Sequence, residues 1–158
     1  MGRASILILS AAAAGCLADP AAAQSGVATA SIDVSLVVEP ACSVTAAPLS
    51  FSGTAGSTID AEAGIAVACN GETAVAVRID GGANALGSQR RLQGDQGYVS
   101  YAVYSDPARG QRWDAGRTIT GVARDGLLQL TAYGRVEQGA TLAAAGVYSD
   151  TIAVTVEF

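Results

Sequence analysis

An all-β sandwich is the fold class this sequence predicts, on three observations. Apolar residues recur at every second position in most segments, no long segment carries the 3.6-residue period of a helix, and the alternating runs are short and separated by glycine-rich turns. With 158 residues, half of them hydrophobic, the chain suits one domain with a sizeable core. Two compact domains would be cramped.

The first element stands apart from that domain. Arg3 gives a short positive region, Ile6-Leu7-Ile8-Leu9 and the alanines after it an apolar region, and Ala21-Ala22-Ala23 small residues for cleavage before Gln24. Together they predict a secretory signal peptide over residues 1–23. Asp19-Pro20 interrupts the apolar run before the roughly 18–20 residues that a membrane helix needs. Removing the leader takes Cys16 with it and leaves Cys42 and Cys69. An even pair of cysteines in an oxidising compartment predicts a structural disulfide. It would close a loop of about 28 residues and contribute roughly 3.5 kcal/mol by the chain-entropy relation.

The strands follow in order. Ala28, Ala30, Ile32, Val34, Leu36 and Val38 share one face and Thr29, Ser31, Asp33 and Ser35 the other, an amphipathic strand that Pro40 ends. A second strand is expected over residues 42–51, a Gly/Ser/Thr-rich loop over 53–64, and a third strand over 65–69. Asn70-Gly71 marks a tight turn, because both residues tolerate positive φ. Residues 73–79 form the return strand, 81–97 a polar loop, and 98–104 a further strand. Asp106-Pro107 and Arg109-Gly110 mark another loop, Ile119 sits in a short piece of undecided type, and residues 127–136 make a strand. After a connection over 139–146, Ile152, Val154, Val156 and Phe158 alternate with polar neighbours in the last strand. This spacing fits an immunoglobulin-like sandwich.

Residue types exclude several function classes. With no histidine anywhere, Ser-His-Asp and Cys-His catalysis and His-ligated metal sites are ruled out, and two cysteines alone cannot complete a tetrahedral metal site. No catalytic, cofactor-binding or metal-binding residues are therefore assigned. Asp60 with Glu62, and Asp106 with Asp114, are conceivable carboxylate pairs, but these acids stand among Gly, Pro, Ser and Arg, where Asp caps turns. Gly81-Gly82 lacks the spacing of a phosphate loop. Nine Arg, no Lys and a net charge of −5 leave no basic footprint for nucleic acid. Arg90-Arg91 and the group Arg109, Arg112 and Arg117 read as solvated loop charges pairing with Asp106 and Asp114. Trp113 is expected to pack over a loop, and the five tyrosines to be core or edge residues with hydroxyls reaching a partner.

Tyr133-Gly134-Arg135-Val136, followed by Gly146-Val147-Tyr148-Ser149-Asp150-Thr151 and the alternating run after it, resembles the ending of the spore coat protein U family. Its best-known members are Csu-type subunits of archaic chaperone-usher pili. Tyr101-Ala102-Val103-Tyr104-Ser105-Asp106, Trp113 beyond it, and Cys42 and Cys69 near the first strands occur in the family's order.

The resemblance implies an incomplete immunoglobulin-like sandwich of pilin type, completed by donor-strand exchange: residues 24–38 as an N-terminal donor strand, residues 39–158 as the sandwich. Ala28, Ala30, Ile32, Val34 and Leu36 would be the donor side chains, and Ile152, Val154, Val156 and Phe158 the C-terminal strand that a chaperone recognises. It further implies a structural subunit of a surface fimbria, exported through the periplasm, serving adhesion and biofilm formation. A periplasmic chaperone, an outer-membrane usher and other copies or related pilins would be its partners, with no cofactor. A secreted spore-coat or matrix protein using the same fold is the alternative, and a carbohydrate-binding module around Trp113 a more distant one.

Overall fold

The computed structural model describes residues 26–140 and 144–158, so the signal peptide expected over 1–23 lies outside the described residues. The chain divides into two units, one ending at Leu36 and the other running from Val37 to Phe158. In the first unit, residues 26–36 form no strand, and Ile32, Val34 and Leu36 are 88%, 90% and 85% exposed. The alternation foresaw a strand there. A strand is held by a ladder to a neighbour, and the segment has none among the described residues.

The second unit is built from β-strands. The strands are β1 (Cys42–Ala46), β2 (Ile59–Cys69), β3 (Thr73–Ile79), β4 (Arg90–Gly94), β5 (Gly97–Tyr104), β6 (Ile119–Ala123), β7 (Leu127–Val136) and β8 (Val154–Glu157). They build two antiparallel sheets, one in the order β1-β2-β7-β5-β4 and the other β6-β3-β8. The spine is β2 against β7, in register from Ile59↔Val136 to Ala68↔Leu127. Val67, Val75, Val77, Val103, Trp113 and Val136 pack between the sheets as a buried core.

Four boundaries differ from the sequence expectation, each for a local reason. β1 stops at Ala46, because after Ala47 donates its N–H to the Gly64 carbonyl (2.8 Å) Pro48 has no N–H to continue the ladder. β2 begins at Ile59, inside the expected loop, because Ala63 turns into the core and Ile59 and Ala61 stand half-buried on the same face. β4 lies inside the expected polar loop 81–97; its one fully buried residue is an arginine, which leaves Leu92 alone to signal a strand and no hydrophobic alternation to flag. β8 starts at Val154, because Asp80 occupies the preceding step: its N–H donates to the Ala153 carbonyl and its Oδ1 accepts from the Ala153 N–H, both at 3.0 Å.

Candidate functional site

β1 pairs only with β2, and β8 only with β3, so each leaves one edge unpaired among the described residues. Between the segment that continues β1 and the free side of β8 lies a groove of about 480 Å³. Leu49 and Phe51 form one wall and Ile152 and Val154 the other, with Ile65, Ile79 and Val103 at its base. The wall residues are half-buried while the base residues are fully buried, so the sandwich is open along this line.

The near wall depends on a glycine. A Cβ on Gly134 of β7 would stand 2.6 Å from Phe51 Cζ and 2.9 Å from Leu49 Cδ2, so any side chain there would displace this wall. Its neighbours in the Tyr-Gly-Arg motif act on the opposite face of β7. Arg135 donates from Nε and a terminal nitrogen to Asp60, its cross-strand partner, at 2.8 and 2.9 Å. Arg109 stands over the Tyr133 ring at 5.8 Å and reaches Asp60 at 3.3 Å. Arg135 donating to Asp60 holds that carboxyl below its ordinary value, and reciprocally raises the guanidinium.

One end of the groove is polar and rigid. Asp150 accepts hydrogen bonds from the Tyr101 hydroxyl (2.7 Å) and from the Asn84 backbone N–H and side-chain amide (3.0 and 3.1 Å). Gly82 lies so close, at φ +84°, that a Cβ there would be 2.1 Å from the carboxylate. Burial, then the bond to Asp150, push the Tyr101 phenol well above its usual range, so it stays a donor. Ser149 exchanges two backbone hydrogen bonds with Gln93 of β4 (2.8 and 2.9 Å). The approach to β8 is thus held on three sides before the strand begins.

Behind this end sits Arg90, 2% exposed. Its guanidinium donates to the Asp80 carbonyl through two nitrogens and to the Trp113 carbonyl at 2.9 Å. Asp114, at 3.9 Å, is its nearest carboxylate. Burial pulls the Arg90 pKa down, and the carbonyls replace the water it has lost. Trp113 is completely buried, with its indole Nε1 the one buried side-chain polar atom without a partner among the described residues.

The sequence-predicted residues fall as follows. Cys42 and Cys69 are bonded, directly opposite each other across β1 and β2. Ile152, Val154 and Val156 face inward, half-buried, and Phe158 is exposed. Ala28, Ala30, Ile32, Val34 and Leu36 are all exposed. Trp113 lies in the core between the sheets rather than over a loop, and Asp106 caps its own loop through the Gly110 and Gln111 amides.

Arg90 corrects the expectation of a solvated charge: it is a buried strut. Arg91 is half-buried, 4.1 Å over the Tyr98 ring, with its Nε donating to the Asn84 carbonyl. Arg109 pairs with Asp60 on β2 rather than with the loop acids, whereas Arg112 does pair with Asp114. Asp60 is a strand residue, not a turn cap. Asp150, Tyr101 and Asn84 were not singled out as a group, because partners 49 and 66 positions apart leave no mark in local spacing. The chemistry on offer is recognition: an apolar slot and two free backbone edges suit an extended strand.

The Spore Coat Protein U domain profile matches residues 28–155. No curated protein matches the chain in sequence. Among solved structures, one match is in the "CsuC-CsuE chaperone-tip adhesion subunit pre-assembly complex from archaic chaperone-usher Csu pili of Acinetobacter baumannii", at 21% identity and TM-score 0.55, covering 77% of this chain and 40% of that one. Another, described as "Chaperone-tip adhesin complex is vital for synergistic activation of CFA/I fimbriae biogenesis", has 13% identity and TM-score 0.44, covering 72% and 40%. The chain therefore spans two fifths of the length of each matched chain, and the first likeness concerns the fold.

Proposed function

The chain belongs to the Spore Coat Protein U domain family, and on that premise we propose that it is a non-catalytic structural subunit of a surface fibre, assembled by donor-strand complementation along a chaperone-usher route. Its residues 24–38 are the donor strand, and its groove receives the same segment of a neighbouring copy or related subunit. The observation that carries the reading is the pairing of an open apolar groove with an exposed, alternating segment in one chain. Fold similarity to a chain of a chaperone–subunit complex adds to it.

The dimensions agree. Residues 28–36 and residues 150–158 are nine-residue stretches, each roughly 30 Å long when extended. Moving Ile32, Val34 and Leu36 from water into the groove yields roughly 5–9 kcal/mol before the cost of association. A ladder along the free edge of β8 adds to that. A head-to-tail contact of this kind does not close on itself, so repetition gives a filament. In the periplasm a chaperone would fill the same slot, gripping the strand that carries Ile152, Val154, Val156 and Phe158, and the usher would exchange it for the next donor. Adhesion and biofilm formation are the roles such a fibre serves.

Deleting residues 25–38 is the decisive experiment. We expect a folded subunit that still co-purifies with a periplasmic chaperone and forms no fibres; fibres of normal length from the deletion would end the reading. The family's name favours a second one, a secreted coat or matrix protein. That reading predicts no chaperone co-purifying with the full chain.

A further inference from the structure

We propose that Asn70 is a positioning residue that fixes the backbone of Glu39 to Ala41, the base from which the N-terminal segment extends. Neither Asn70 nor Gly71 adopts the positive φ that the sequence pattern allowed for, so the connection after β2 does not itself call for an asparagine. Its side chain does more. The Asn70 amide nitrogen donates to the Glu39 carbonyl at 2.9 Å, and its oxygen accepts from the Ala41 N–H at 3.0 Å. Its backbone N–H donates to the Ala41 carbonyl at 3.0 Å.

These three bonds bracket Pro40. The register of β1 and β2 ends with Cys42↔Cys69, the disulfide pair, so Ala41 and Pro40 are the next steps outward. A backbone ladder cannot extend beyond Ala41, since Pro40 has no N–H. One carboxamide has a donor and an acceptor side by side, as a peptide unit does, and it serves the groups on either side of the proline. Pro40 itself has a fixed φ, so the chain from Glu39 to Cys42 is held by a ring, a side-chain clamp and a covalent bond in succession. The residues just before it, Val37 and Val38, are exposed.

Two consequences follow for a chain whose N-terminal segment has work to do outside its own fold. The segment's base cannot swivel, which reduces the entropy lost when the segment is captured. Any pull on it enters β2, which shares with β7 the longest ladder among the described residues. This purpose rests on the fibre reading; the geometry does not.

The test uses the isolated full chain, with nitroxide labels on V38C and D95C, comparing wild type with Asn70→Ala. The label distance distribution should be narrow in the wild type and broad in the variant. Hydrogen-exchange protection over residues 41–46 should fall about fivefold or more, while β7 keeps its protection. Equal distributions, or broadening only after the disulfide is reduced, would overturn the proposal. If Asn70→Ala also loosens β7, Asn70→Asp decides: it keeps the acceptor for Ala41 and withdraws the donor from Glu39, so the label must still broaden. Because the labels report on a single chain, a negative result in fibre assembly leaves this measurement intact.

Discussion

β3 and β8 are neighbours in one sheet, yet they live in different surroundings. Val77 is 0% exposed and its direct cross-strand partner Val156 is half-buried; Ile79 is 3% exposed and its partner Val154 is again half-buried. Residues directly opposite on one face stand about 5 Å apart. Cover disappears over that distance. The buried core that Val77 and Ile79 enter includes Trp113, itself tied to Arg90 and to the Val103 carbonyl, whereas on the β8 side the core ends at the groove. The lesson is that the sandwich is finished on one flank and waiting on the other.

The sealed flank should show large costs that ignore what fills the groove. Trp113→Ala removes the largest buried side chain and should destabilise the chain by about 3–5 kcal/mol in urea titrations. The loss should be the same with or without a saturating peptide of residues 26–38. Reduction of Cys42–Cys69 follows closely, at about 3.5 kcal/mol by the loop-entropy relation. It too should be insensitive to the peptide, because the bond lies at the Cys42 end of β1, whereas the groove begins at Ala46.

The open flank should behave in the opposite way, with smaller numbers that depend on the occupant. In the empty chain Val154→Ala gives up contacts that are already partial, so about 1 kcal/mol is expected. With the groove filled, the same substitution should cost about twice that, since the side chain is then enclosed and a cavity remains. Equal costs in the two states, measured by thermal unfolding with and without peptide, would mean that nothing seats against β8.

This contrast also explains what the sequence disclosed. β3 and β7 match their expected spans, because alternation there is unbroken and a turn bounds each end. The disulfide was legible from cysteine number and compartment. The groove's far wall was legible too, as the alternation that includes Ile152 and Val154, though alternation cannot say that a face is only half covered. β4 was hidden because its core residue is Arg90, acceptable inside only by virtue of carbonyls on Asp80 and Trp113. The Asp150–Tyr101–Asn84 cluster was hidden because it is assembled from three segments brought together by the fold. Polar pairing across sheets has no period, so it emerges only from the structure.

The smallest effect concerns the Asp60–Arg135 pair, which crosses β2 and β7 on the solvent side, away from the groove. The Asp60 side chain is 40% exposed, so solvent screening limits the pair to about 0.5–1 kcal/mol. Its pH dependence has a definite sign. The hydrogen bond from Arg135, opposed by partial burial and aided by the Arg109 charge, lowers the Asp60 pKa below 3.8 in the folded state. The unfolded chain therefore binds that proton more readily, and stability from the pair is present above the unfolded value and lost as pH falls through the folded one. Arg135 stays charged throughout. Stability curves of the wild type and Asp60→Asn should accordingly run parallel from neutral pH down to about 5 and converge only below about 4. A double-mutant cycle with Arg135→Gln should give the same coupling whether the groove is empty or filled, as expected of a pair that belongs to the finished flank.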